Sequence, residues 1–263
     1  MNRFDTRRIL VTGAGSGIGQ ATALRLLREG GRVVAADVVT EGLATTRERA
    51  TAEGTAERLH TLVLDIADES SVTEGVKSAI AELGGLDVLV NAAGILRAEH
   101  THLTSLDMWN RIITVNLTGT FLVTREALPA LLETGNGVVV NFSSTSAAFA
   151  HPYMAAYAAS KGGIQSFTHA LALEYGKQGL RAVNVAPGSI KSGITDATSG
   201  YLPADTDWEL FTKLSPILAT DLESGGAPMA GPDTIAGVIA MLASDDGAFI
   251  TGTEIRVDGG THA

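Results

Sequence analysis

The chain of 263 residues contains no cysteine, which removes disulfide frameworks, thiolate zinc sites and cysteine nucleophiles from consideration and is compatible with a reducing compartment. It is also short of cations: 19 Lys and Arg stand against 29 Asp and Glu, a formal net charge of -10. Neither a nucleic acid nor an anionic membrane is therefore an expected partner, because either needs a clustered basic surface to gain from counterion release. No apolar run approaches the roughly 18 residues of a spanning helix. The stretch from Met1 to Arg8 is polar and carries no apolar signal segment, so a cytoplasmic protein is expected. No serine stands in a G-x-S-x-G context, which argues against an ordinary α/β-hydrolase.

What is present is a chain that is 45% hydrophobic and long enough to bury a large core, expected as one domain over residues 1–263. Short Val/Ile/Leu-rich runs alternate with longer segments of helical period, the pattern of parallel strands joined by crossover helices. Strands are predicted at Arg8 to Thr12, Arg32 to Ala36, Leu59 to Leu64, Val88 to Asn91, Val138 to Phe142, Arg181 to Val185 and Glu254 to Val257. Helices are predicted at Gly17 to Glu29, about Glu41 to Ala52, Glu69 to Leu83, Leu106 to Leu132, Met154 to Tyr175 and Thr234 to Ala243. Asp68 and either Thr104 or Ser105 read as N-caps, and Gly84, Gly85 and Gly135 as helix stops. Right-handed crossovers then give an α/β fold: a doubly wound, Rossmann-like, seven-stranded parallel sheet with helices on both faces and a crevice at the carboxyl ends of its strands. The segment 189–231 breaks the rhythm, and a loop that long is usually functional.

The first strand runs into Gly13, Ala14, Gly15, Ser16, Gly17, Ile18 and Gly19 and then a helix. Glycines serve where a chain turns tightly and where backbone approaches a pyrophosphate, whose charge the helix N-terminus stabilises. The spacing is G-x-x-x-G-x-G rather than the general G-x-G-x-x-G fingerprint, and alone it could be a mere tight connection. Asp37 ends the second strand about 20 residues later, where a carboxylate accepts from ribose hydroxyls of NAD and repels the extra phosphate of NADP. No Arg or Lys follows in Val38, Val39 and Thr40, so NAD is the expected cofactor. Asp65, with Ile66 beside it, follows the third strand, and Asn91, Ala92, Ala93 and Gly94 follow the fourth; both could also be ordinary turns.

Tyr157 and Lys161 stand four apart in an Ala-rich helical stretch and so share a face. A nearby ammonium favours the phenolate and should lower the tyrosine pKa from about 10, giving a tuned acid/base. Ser144 sits just past the fifth strand, with a hydroxyl able to meet a substrate oxygen as charge builds on it, while Ser143 should point elsewhere. Asn116 is an amide inside an apolar helix and must find partners, which could be purely structural. His100 and His102 near Glu99 read as a turn rather than a metal site. Trp208 and Phe211 could be core or pocket.

Together these residues resemble the short-chain dehydrogenase/reductase family in its single-domain form. The likeness rests on TGAGSGIG at 12–19, NAAG at 91–94, Asn116, Ser144, YAASK at 157–161, PG at 187–188 and ITGTEIRVDGG at 250–260. The resemblance implies that Ser144 polarises a carbonyl, Tyr157 transfers the proton, Lys161 also holds the nicotinamide ribose, and Asn116 supports a water-linked proton path. It also implies that the segment after Pro187 and Gly188 contacts the nicotinamide amide through Ile190 and Ser192, and that the protein is a homotetramer. Ser192 stands where the family often has threonine, and residues 143–147 lack a glycine often seen there. The expected activity is hydride transfer between NAD(H) and a small-molecule secondary alcohol or ketone. A 3-oxoacyl-thioester reductase, a sugar or polyol dehydrogenase, and a non-catalytic dinucleotide sensor are the alternatives. Leu202, Trp208, Leu210, Phe211, Leu214, Ile217 and Leu218 tilt the substrate toward a hydrophobic or bulky one.

Overall fold

The computed structural model describes residues 2–191, 200–212, 214–218 and 229–263. Strands β1 (Arg8–Thr12), β2 (Arg32–Asp37), β3 (Leu59–Val63), β4 (Val88–Asn91), β5 (Val138–Phe142), β6 (Arg181–Pro187) and β7 (Glu254–Val257) form one sheet, in the order β3-β2-β1-β4-β5-β6-β7. Every neighbouring pair is parallel. The order reverses between β1 and β4, so the crevice outside their carboxyl ends is where a ligand is received.

Strand side chains alternate between two cores. Ile9, Val11, Val33, Val88, Val90 and Val138 pack under one helix layer, whereas Leu10, Val34, Leu89 and Val139 pack under the other. The first layer consists of α1 (Gly17–Arg28), α2 (Thr40–Ala52) and the helix Pro232–Ala243; the second consists of α3 (Glu69–Leu83), α5 (Gly119–Glu133) and α6 (Ala155–Tyr175). Each fully buried Leu or Val contributes about 1.5–3 kcal/mol, and both faces of the sheet are covered in this way.

The predicted helix from Leu106 runs on to Glu133, but in three parts: α4 (Leu106–Ile113), a π-helical turn at Thr114–Thr118, and α5. Among the described residues, a short helix α7 (Trp208–Thr212) lies within the long segment, and Pro232–Ala243 is α8. The caps follow local chemistry: Asp68 accepts from the Ser71 N–H, Ser105 rather than Thr104 accepts from Met108, and Gly84 takes the left-handed conformation that stops α3.

One transverse row of the sheet is polar. Thr12, Asn91, Asn141, Asn184 and Glu254 are register partners across β1, β4, β5, β6 and β7. Asn91 Nδ2 donates to Asn141 Oδ1 at 2.8 Å and to Thr124 Oγ1 at 3.0 Å, Asn141 Nδ2 donates to Thr168 Oγ1 at 2.8 Å, and Thr168 lies 2.9 Å from Asn184 Oδ1. This seam ties the ends of the central strands to α5 and α6 immediately beneath the crevice.

Candidate active site

A cavity of about 880 Å³ opens at the carboxyl ends of the strands, within the range of ligand sites. Its dinucleotide end is made by the turn after β1. Gly13 has φ +68° and a Cβ there would lie 2.7 Å from Ala93 Cα, so only glycine allows the turn to touch the strand β4 exit. A Cβ on Gly19 would lie 2.1 Å from the Gly13 carbonyl oxygen. Gly13, Ser16, Gly17, Ile18 and Gly19 all line the cavity. Ser16 makes no side-chain cap, leaving the first-turn N–H groups of α1 free to face an anion.

Asp37, the last residue of β2, lines the same cavity. One carboxylate oxygen accepts from Gly15 N at 2.9 Å and the other from Val39 N at 2.9 Å. The charge is thus held rigidly beside the glycine turn, and a Cβ at Gly15 would lie 2.9 Å from the Asp37 carboxyl carbon. Asp65, Ile66, Ala92 and Gly94 form the next stretch of wall. Tight glycine turns, uncapped helix N–H groups and a fixed carboxylate suit a dinucleotide with free ribose hydroxyls.

The chemical end brings together Ser144, Tyr157 and Lys161. Ser144 follows β5 and caps a 3₁₀ turn, accepting from Ser146 N at 3.2 Å. It hydrogen-bonds the Tyr157 phenol. Lys161, one turn along α6, is 5% exposed; its Nζ donates to the Phe142 carbonyl at 2.9 Å and lies 5.6 Å from the Tyr157 ring centroid. Burial pushes the phenol up to about 12, with the Ser144 hydrogen bond acting in the opposite sense. Burial likewise lowers the Lys161 ammonium to about 8. This corrects the expectation of a lowered phenol pKa: desolvation outweighs the cation, whose proton is directed at a backbone carbonyl. Ser143 does point elsewhere, its hydroxyl meeting the Val185 carbonyl and Glu254.

Pro187, Gly188 and Ile190 line the cavity at the end of β6, and Ser192 lies outside the described residues. Two expected residues do not line it. Asn91 shares the face of Leu89, and its amide is spent in the buried polar seam. Asn116 is fully buried in the π turn; its Oδ1 accepts from Ile95 N at 2.8 Å, and its Nδ2 donates to Ile95 O at 2.9 Å and Ser160 Oγ at 3.1 Å. Its side chain clamps the backbone that follows Gly94, and a Cβ on Gly94 would lie 3.2 Å from Asn116 Oδ1 and 3.7 Å from Lys161 Nζ.

The long segment contributes Leu202, Trp208, Phe211 and Leu214 to the wall, opposite neither core, whereas Leu210, Ile217 and Leu218 are exposed. Tyr153 holds this cover in place: it has φ +64°, its ring stacks on Phe211, and its phenol accepts from Asp207 N at 3.0 Å. His100 meets Asp205 at 2.9 Å and packs edge-on against Tyr153. Sequence reasoning missed Tyr153 and also His151 and His262, which line the cavity. Among the described residues, no group of three or more His, Cys, Asp or Glu side chains could hold a metal ion, and no helix is long and apolar enough to cross a membrane.

The family model of the short chain dehydrogenases matches residues 7–200. The chain is 36% identical to the meso-2,3-butanediol dehydrogenase of Serratia marcescens, covering 99% of this chain and 96% of that one. It is 34% identical to the 3-oxoacyl-(acyl-carrier-protein) reductase of Thermotoga maritima, covering 98% of each. The fold superimposes with a TM-score of 0.85 on the crystal structure of a dehydrogenase/reductase from Sinorhizobium meliloti 1021, 28% identical, covering 100% of this chain and 98% of that one. The chain therefore belongs to the short-chain dehydrogenase/reductase family, and it is an oxidoreductase of the kind that works with a nicotinamide dinucleotide.

Proposed function

We propose that the protein interconverts a secondary alcohol and a ketone with NAD(H), using Tyr157 as acid and base. The observation that carries this reading is the meeting of Ser144, Tyr157 and Lys161 in one cavity with the glycine turn and Asp37. The nicotinamide, when bound, gives or takes the hydride. The glycine turn and the first N–H groups of α1 hold the pyrophosphate, and Asp37 takes the ribose hydroxyls. Ser144 donates to the substrate oxygen, Tyr157 gives that oxygen its proton during reduction and removes it during oxidation, and the Lys161 ammonium stabilises negative charge on the phenol oxygen. Asn116 acts by position, holding Ile95 and the Gly94 backbone against the Lys161 head group.

Asp37 also sets the cofactor. A phosphate on the ribose would meet its carboxylate, and Val38, Val39 and Thr40 offer no compensating cation. Asp37→Ala is expected to narrow the ratio of kcat/KM with NAD to that with NADP by at least about tenfold, about 1.4 kcal/mol. Initial rates with the two cofactors measure it. Equal use of both by the unaltered protein would contradict the assignment.

A reductase of 3-oxoacyl thioesters is the second reading, favoured by the Thermotoga maritima relative. It differs in needing room for a long thioester past the Trp208 and Phe211 cover. A panel of alcohols, ketones and 3-oxoacyl thioesters, followed by NADH absorbance, separates the two.

A further inference from the structure

Next to Ser144, but outside the set that moves the proton, lies a second polar cluster on the cavity wall. The Thr145 hydroxyl lies 3.5 Å from the Pro187 carbonyl, to which it donates, and 3.2 Å from His151 Nε2. A hydroxyl that gives its proton to a carbonyl receives one from the imidazole, so His151 carries its hydrogen on Nε2. That leaves Nδ1 as a bare acceptor with no partner among the described residues. The ring is neutral at ordinary pH, since burial, and secondarily the proximity of His262, push it down to about 4.

His151 is also held from behind. His262 stacks nearly parallel to it, with ring centroids 5.8 Å apart, and is itself stacked on Phe149 at 4.1 Å. His262 Nδ1 lies 3.1 Å from Asp258 Oδ2, and Asp258 further accepts from Gly260 N at 3.0 Å. An aromatic stack anchored by a carboxylate is far more order than a solvated surface histidine possesses. The consequence is an acceptor fixed in place, preorganised for a donor on the ligand. The charge pattern narrows the donor's carrier: Asp258 stands behind the pair, and the nearby Lys161 is already directed at Phe142 O. A carboxylate in the substrate would meet repulsion there, whereas a hydroxyl would not. The remaining wall, with Leu96, Met154, Leu202 and Phe211, is apolar.

We propose that His151, positioned by Thr145 and by the His262–Asp258 pair, accepts a hydrogen bond from a second hydroxyl of the substrate, so that the preferred substrates are neutral 1,2-diols and the corresponding hydroxyketones with an apolar remainder. This rests on the oxidoreductase reading above and specifies its substrate class. An analogue lacking the hydroxyl leaves the imidazole nitrogen unpaired, which sites of this kind discriminate against.

The test compares kcat/KM with NAD for butane-2,3-diol against butan-2-ol and for cyclohexane-1,2-diol against cyclohexanol. The unaltered protein is expected to favour each diol by about tenfold or more. His151→Leu should bring that ratio close to one, and His151→Asn, which keeps an acceptor near the Nδ1 position, should retain most of it. A ratio near one in the unaltered protein overturns the proposal. So does a ratio that His151→Leu leaves intact, or failure to turn over either diol while NADH still binds; in all three results the oxidoreductase reading stands. Absence of NADH binding by fluorescence titration removes that reading as well.

Discussion

Tyr157→Phe is expected to lower kcat/KM by about 10²–10⁴-fold, the range associated with a positioned acid or base, and to leave NADH binding within about twofold. The ring packs with Leu96, Ala98 and Met154, so phenylalanine keeps the wall and deletes only the oxygen that meets Ser144. Steady-state rates and a fluorescence titration separate the two effects. Turnover within about threefold of the original enzyme would exclude this phenol as the proton carrier. The same group gives the unaltered enzyme a directional pH response. With its pKa pushed up to about 12, the phenol is correctly protonated for reduction throughout the neutral range, while the phenolate needed for oxidation becomes more abundant as pH rises. Oxidation should therefore accelerate between pH 7 and 9 relative to reduction, and the opposite slope would place the acid/base elsewhere.

The largest structural effect is expected at Gly19. Its added methyl in Gly19→Ala would sit 2.1 Å from the Gly13 carbonyl oxygen, a backbone atom that cannot swing aside. Helix α1 must then move off the turn, and Ala23, Leu26 and Leu27 on its buried face move with it. Overpacking of this sort costs about 1–3 kcal/mol and sometimes more, or about 3–10 °C in Tm for a chain of this size. NADH affinity should fall by at least tenfold because the N–H groups at the helix start lose their aim. Gly176→Ala serves as the control, since a Cβ there meets nothing within 4 Å and its φ is -57°. Equal melting temperatures for the two variants would show that the turn tolerates the methyl and that its tight geometry is not required.

Much of the architecture was legible because strand starts coincide with apolar runs bounded by Gly, Asp or Asn. The strand ends were less so: β2 reaches Asp37 and β6 reaches Pro187, since ladder bonds continue past the last apolar residue. The π turn at Thr114–Thr118 left no trace in apolar spacing, because it changes which carbonyl each N–H meets rather than which residues are apolar. Asn91 shows a different lesson. Alternation along Val88, Leu89, Val90 and Asn91 already puts the amide on the Leu89 face, away from the crevice, and a reading by motif alone passes over that parity. Tyr157 and Lys161 were readable from their fourfold spacing, but His151 and His262 come from distant stretches with no shared spacing. Only folding of the turn after β7 beside Phe149 brings those two rings together.

The π turn also makes the long helix behave like two gears keyed to one shaft. Upstream, α4 buries Ile112; downstream, α5 lays Val123, Ala127 and Leu131 on the sheet. Each residue of an α-helix advances the surface by about 100°, so deleting one residue from Thr114–Thr118 would wind the coil evenly and swing those three side chains off their seat. Lengthening or shortening this stretch by a single codon is thus a more severe change than most substitutions within it.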